Sequence, residues 1–306
     1  MVLIASSVGF LLIKSLPGDM LSDLQFNPNV DAERMAELRA RFGLDIPVST
    51  RYWNWLSSLI HGDFLDSTSQ REPVMRAISR AIPNTLRLMS LAFCSSIIGG
   101  IILGTWQGTR LGTLRERISS GITLSVFSLP DFWVAMLLQF VFVATLGIFP
   151  SQGMNGYQPG MSFIERLADN MSHAFLPWLS LTLVDIAVFA RYQRAAVCEV
   201  ATQHFLRTAR AKGVPEFFVT WKHALRVSLL PMITISGLYF PALLVGAILV
   251  EKIYGWPGIG LLLSNAVASR DYFLVAGIVV VGSAMTALGS LLADMLRELA
   301  DPRLRQ

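Results

Sequence analysis

The stretch from Trp178 to Tyr192, WLSLTLVDIAVFARY, places one carboxylate, Asp185, in the middle of an apolar run. An ionisable residue in such a run is expensive and normally faces a cavity or a partner. Gln139 lies in a second apolar run and can hydrogen-bond across a helix interface. These two residues are the polar candidates for lining a passage. Asp131 follows Pro130 and is expected only to cap a helix that restarts there. Arg87 stands near the start of another apolar run, where its long stem lets the charge reach outward to water. Bond-making chemistry finds no footing. The sequence has no GxxxxGK[ST] phosphate loop, so ATP binding by that device is not expected. It has no HExxH and no GxSxG. His61, His173, His204 and His223 are dispersed, without the clustering that holds zinc. Cys94 and Cys198 suggest neither a disulfide framework nor a metal site.

The elements that carry these residues are apolar. Of 306 residues 53% are hydrophobic and only 15% are charged. A soluble domain is about a quarter charged, so the deficit points to a membrane protein. The net charge of +4 then reads as the positive-inside bias of such proteins, a better reason than nucleic acid. A spanning helix needs roughly 20 apolar residues. Six candidate spans follow: 1–16, 84–106, 119–148, 174–190, 228–250 and 272–293. The first would reach only about 24 Å at 1.5 Å per residue. It is expected to be incomplete here or to begin at a late start site. Gly99, Gly100, Gly104, Pro130, Pro241 and Gly246 fall inside the others and are expected to be tolerated there, because neighbouring helices satisfy a disturbed backbone.

Orientation follows from Lys and Arg. Connection 107–118 carries Arg110, Arg115 and Arg117; connection 191–227 carries Arg191, Arg194, Arg207, Arg210, Lys212, Lys222 and Arg226; the tail carries Arg297, Arg303 and Arg305. The short connections opposite hold only Arg166, Lys252 and Arg270. The rich side, with both termini, is expected in the cytoplasm. Segment 17–83 is long enough to cross regardless of its charge. Within it, Asp31 can cap a helix that stops at Gly43. Trp53, Trp55, Leu56, Leu59 and Ile60 then recur at helical spacing, as in a small packed cap or a helix lying on the outer surface.

One basic segment sits between two apolar ones: RTARAKGVPEFFVTWKHALRVSLLP, from Arg207. Good helix formers run to Lys212, and Gly213 is a natural helix stop. Pro215 suits the first turn of a new helix, and Glu216 complements its positive end. Phe217, Phe218, Trp221 and Leu225 then share one side, flanked by Lys222 and Arg226. The product is a helix–Gly–helix elbow. It can rest on anionic lipid or present an aromatic face to a partner's groove.

That segment resembles the cytoplasmic signature loop of ABC-importer permeases, in the branch that imports dipeptides, oligopeptides and nickel. SLPGD at 15–19, SLPDFW at 128–133, EKIYGWPGIG at 251–260, RDY at 270–272 and DPRLR at 301–305 agree with it, in order along nearly the whole chain. Arg207-Thr208-Ala209 stands where the general signature has EAA. Gly213 matches the signature glycine, and His223 to Arg226 stands at its IxLP.

The resemblance implies an all-α, polytopic membrane protein of about six transmembrane helices in a type I ABC-importer permease fold. It implies one permease domain over 1–306. Its parts are a first span 1–16, an extracytoplasmic segment 17–83, a five-span core 84–293 holding the elbow at 200–227, and a tail 294–306. Partners would be a second permease subunit, two cytoplasmic ATPase subunits, an extracytoplasmic substrate-binding protein and membrane lipid. The chain itself would carry no cofactor; ATP and magnesium would sit on the ATPases. Arg207, Thr208, Ala209, Gly213, Pro215, Glu216, Phe217, Phe218 and Trp221 would make the ATPase-coupling surface, in a bacterial inner membrane. A secondary active transporter using Asp185 is the alternative. It would not explain the elbow, and no inverted internal repeat of the kind common in such transporters is evident.

Overall fold

A computed structural model of the chain describes Ser7 and residues 46–60, 64–241 and 247–300. The rest of the expected first span, the Asp31 helix, SLPGD and DPRLR lie outside these residues. The described residues are helical, and the only β-feature among them is an isolated bridge between Asp66 and Pro73. The helices are α1 (Val48–Ile60), α2 (Val74–Gly108), α3 (Leu114–Phe127), α4 (Asp131–Gln139), α5 (Phe163–Ala201), α6 (His204–Ala211), α7 (Glu216–Phe218), α8 (Leu225–Tyr239), α9 (Ile248–Tyr254), α10 (Ile259–Ala268) and α11 (Tyr272–Ala300). Two π-helical stretches, Phe140–Thr145 and Val219–Ala224, continue α4 and join α7 to α8.

Among the described residues three helices are long and apolar enough to cross a membrane: Val74–Gly108, Phe163–Ala201 and Tyr272–Met295. A fourth candidate is broken, with Leu114–Phe127 and Asp131–Thr145 meeting at 100°. The apolar run 119–148 therefore does not form the single span expected. Pro130 has no N–H to donate and disfavours helix at Leu129. The Ser128 hydroxyl meanwhile donates to the Leu124 carbonyl at 2.9 Å, closing the first limb. Asp131 is the first residue of α4 and not its cap. Pro130 holds the cap position, and no side chain caps the helix.

Other boundaries also moved. Apolar content marks where lipid lies, whereas helices end where their hydrogen bonds end. At about 1.5 Å per residue, α2 and α5 are over 50 Å long, well beyond a hydrocarbon core of about 30 Å. The extra length of α5 begins at a capping box: the Ser162 hydroxyl accepts from the Glu165 N–H at 3.3 Å, and Glu165 accepts from the Ser162 N–H at 2.7 Å. In the run 228–250, α8 stops at Tyr239 and α9 begins at Ile248, with residues 242–246 outside the described ones.

The chain divides into two compact units, Met1–Ile82 with Leu262–Ala284, and Pro83–Leu261 with Met285–Gln306. In the first, Asp271 is fully buried. Its carboxylate accepts from the Ser67 hydroxyl at 2.6 Å and from the Ser69 N–H and hydroxyl, both at 2.8 Å. Its other oxygen takes the Leu274 N–H at 3.1 Å, capping α11. The RDY motif is thus a helix start that also pins the loop at 67–69.

The core of the second unit joins Leu88 and Ala92 of α2, Val134, Ala135 and Leu138 of α4, and Leu176, Leu181 and Val184 of α5. Val250, Tyr254 and Trp256 complete it. Helices α2 and α5 approach closely along Gly100 and Gly104. A Cβ on Gly100 would collide with Phe189, and one on Gly104 with the Ala190 carbonyl. Small residues permit this backbone approach, which is how membrane helices gain packing where lipid gives no hydrophobic drive.

Candidate functional site

The elbow is built as its local sequence dictates. Helix α6 ends in a Schellman motif. Gly213 has φ +76, its N–H donates to the Arg210 carbonyl at 3.0 Å, and the Val214 N–H donates to the Ala209 carbonyl at 3.3 Å. Pro215 occupies the cap position of α7. Two faces result. Leu206, Ala209, Val219 and Ala224 are buried in a seam with Val200, and Val214 packs on it. Phe217, Phe218 and Trp221 point the other way and are 66%, 51% and 38% exposed. The ring of Phe217 meets Phe218 edge-on at 5.6 Å and Trp221 at 6.3 Å. The three rings thus form one patch on a buried support.

Basic and polar groups frame the patch. Arg207, Thr208, Lys212 and Lys222 are exposed. Arg210 clasps Glu216 across the bend, with Nη2 at 2.8 Å and Nε at 3.1 Å from its two oxygens. The Arg210 guanidinium holds the Glu216 carboxyl below the usual range. The pair is exposed, and such pairs contribute at most about 1 kcal/mol. From Glu216 the backbone runs through α7, the π-helical stretch and α8 without a break, so the second limb is the beginning of a long helix.

The two passage candidates are not placed alike. Asp185 is half-buried on α5, between buried Val184 and Ala187. Asp131 is close enough for the two carboxylate charges to act on each other. Beside Asp131 lies a cleft of about 400 Å³, lined by Pro130, Phe132 and residues 247–250. Gln139 is engaged elsewhere: its amide donates to the Ser151 carbonyl at 2.9 Å and reaches that of Ile253 at 3.5 Å. That holds the 146–162 connection against α9. Among the described residues no group of His, Cys, Asp or Glu is arranged to hold a metal ion.

A buried carboxylate that sequence reading did not single out explains EKIYGWPGIG. Glu251 is fully buried. It accepts from the Thr85 hydroxyl at 2.8 Å and from the N–H groups of Gly260 and Leu261 at 2.7 and 3.1 Å. It therefore caps α10 from another helix and ties that cap to α2. Trp256 donates to the Asn84 carbonyl at 3.0 Å, and Asn84 donates back to the Pro257 carbonyl at 2.9 Å. The Tyr254 hydroxyl donates to the Ala135 carbonyl at 2.9 Å and lies 2.9 Å from the Ser180 hydroxyl. The only signal in the sequence was an acidic residue directly beside an apolar run.

Comparison with known proteins decides the family. Residues 81–306 match the family described as the binding-protein-dependent transport system inner membrane component, and residues 1–89 match its N-terminal counterpart. The chain belongs to this family. It is similar to the oligopeptide transport system permease protein AppB of Bacillus subtilis, 33% identical over 97% of this chain and 93% of the relative. It is 36% identical to the glutathione transport system permease protein GsiC of Escherichia coli, over 99% and 94% of the two chains. A putative peptide permease protein of Brucella suis is also 36% identical, over 97% and 92%. The chain is therefore an all-α, multi-pass inner-membrane permease of the ABC-importer class, a transport subunit within a multi-component system that includes an ATPase and a binding protein.

Proposed function

We propose that this chain forms half of the passage of a peptide importer, pairing with a second, different permease. Two cytoplasmic ATPase subunits, one of them docked on this chain's elbow, carry the ATP and magnesium. A substrate-binding protein delivers cargo from outside. Both termini and the elbow face the cytoplasm, as the Lys and Arg asymmetry demands. Cargo is a peptide or a related small solute such as nickel; relatives named for oligopeptides and glutathione support the peptide class. The observation that carries the reading is the two-faced elbow, whose exposed aromatic patch sits on a buried seam. Exposed, clustered Phe and Trp on a rigid base are what anchors an interface.

The test combines topology and assembly. Single cysteines near Arg110 and Lys212 should react with an impermeant reagent only after the cells are opened, and ATPase subunits should copurify with the chain. Ready labelling in intact cells would sink the topology. Proton-driven uptake by this chain alone would restore the secondary transporter.

Asp185 lines the shared interior in this reading. A carboxylate facing hydrocarbon would cost roughly 3 kcal/mol on insertion scales. Asp185→Asn is expected to leave the amount of assembled complex unchanged and to lower uptake severalfold. Normal transport by Asp185→Lys would show that the position neither lines nor packs against anything that matters.

A further inference from the structure

A belt of buried polar contacts crosses the second unit near the elbow. Gln193 of α5 is fully buried. Its side-chain N–H₂ donates to the Thr105 hydroxyl of α2 at 3.1 Å and to the Ser228 hydroxyl of α8 at 2.9 Å. Thr105 and Ser228 are themselves fully buried. The next residue, Arg194, turns to α3 and places Nη2 2.8 Å and Nε 3.1 Å from the Glu116 carboxylate, which also accepts from Ser120 at 2.8 Å. Gln107 of α2 donates to Ser119 and Thr123 of α3 at 2.8 and 3.1 Å. Four helices are thereby joined by side chains on α5 and α2. Other side-chain links between α2 and α5 are few: Trp178 donates to the Ser95 hydroxyl at 3.0 Å and Ser96 reaches the Thr182 carbonyl at 3.4 Å. Hydrogen bonds in a low-dielectric interior fix register, because leaving them unmade is expensive.

Ser228 lies on the helix that runs without interruption from Glu216. We infer that Gln193 is a positioning residue for transport: it locks α8 to α2 and α5, so that displacement of the elbow moves these helices together and α8 does not slide alone. This rests on the elbow being the coupling surface. Among the described residues the Gln193 side-chain carbonyl has no hydrogen-bond partner, so they do not fully satisfy the amide. A side chain kept only for stability would be better replaced by an apolar one of equal size.

Gln193→Met keeps the volume and removes both links. In the complete complex, reconstituted with its second permease, ATPases and binding protein, ATPase docking, basal hydrolysis and Tm are expected to match the wild type. Cargo delivered per ATP hydrolysed should fall about fivefold, within the range of coupling changes made by residues that touch no ligand. Thr105→Val and Ser228→Ala each remove one link and should lower the ratio about twofold. An unchanged ratio in all three assembled variants overturns the inference, as does a loss of Tm and transport together at unchanged ratio. If Gln193→Met does not assemble, the two single-link variants decide. Failure of the wild-type chain to hold an ATPase would instead refute the coupling reading, leaving the two failures distinct.

Discussion

Phe218→Asp is expected to leave the spans inserted while ATPase docking weakens about thirtyfold or more. An anchor residue at the centre of an interface is worth about 2 kcal/mol or more, and 1.4 kcal/mol is tenfold in Kd. Phe218 is half-exposed and meets the Phe217 ring edge-on, so a carboxylate there keeps access to water in the free chain. The damage should therefore fall on the interface and not on the fold. Gly213→Val acts differently. At φ +76, a residue with a Cβ costs roughly 1–2 kcal/mol in the left-handed region, so the bend itself is strained. The two variants separate chemistry from shape. The measurement is the affinity of purified ATPase subunits for permease in nanodiscs, with substrate-stimulated hydrolysis as a second readout. Undiminished affinity in Phe218→Asp would return the elbow to the role of a helix resting on lipid.

Glu251→Ala should be strongly destabilising. It orphans the N–H groups of Gly260 and Leu261 and removes the acceptor of the Thr85 hydroxyl. Each buried donor left without a partner costs about 1–3 kcal/mol. The start of α10 loses its cap, and the tie from α9 to α2 is cut. A fall in Tm of about 5–10 °C is expected in detergent. Glu251→Gln keeps one oxygen as acceptor and should recover part of the loss. If the Ala variant melts with the wild type, the buried carboxylate is not what holds EKIYGWPGIG in place.

What the sequence revealed divides by range. The elbow was legible because each of its devices is local: Gly213 ends one helix, Pro215 and Glu216 start the next, and the aromatic stripe follows within a few residues. The buried seam beneath it was not, since Val219 and Leu206 read as ordinary apolar residues until they meet. Span positions were legible from apolar content, but their ends were not. The capping box at Ser162 sits outside the greasy run that marks α5. Pro130 was expected to be absorbed within a span, yet the chain turns by 100° there, while Pro83, Pro177 and Pro231 lie inside helices. Glu251 was hardest to read. Its Thr85 partner lies 166 residues away, and no periodicity reports a contact of that kind.

The π-helical stretch between Phe218 and Leu225 sets the bearing of the aromatic patch. A π turn holds one residue more than an α turn, and each residue of an α-helix advances about 100° around the axis. Winding those six residues as α would therefore swing Phe217 and Phe218 about a quarter of a turn relative to Ser228 and the rest of α8. The patch is aimed by a single residue of slack, like the index mark on a dial. In the proposed docking, the angle at which an ATPase would meet the membrane helices is then set by Val219–Ala224 and not by the rings alone.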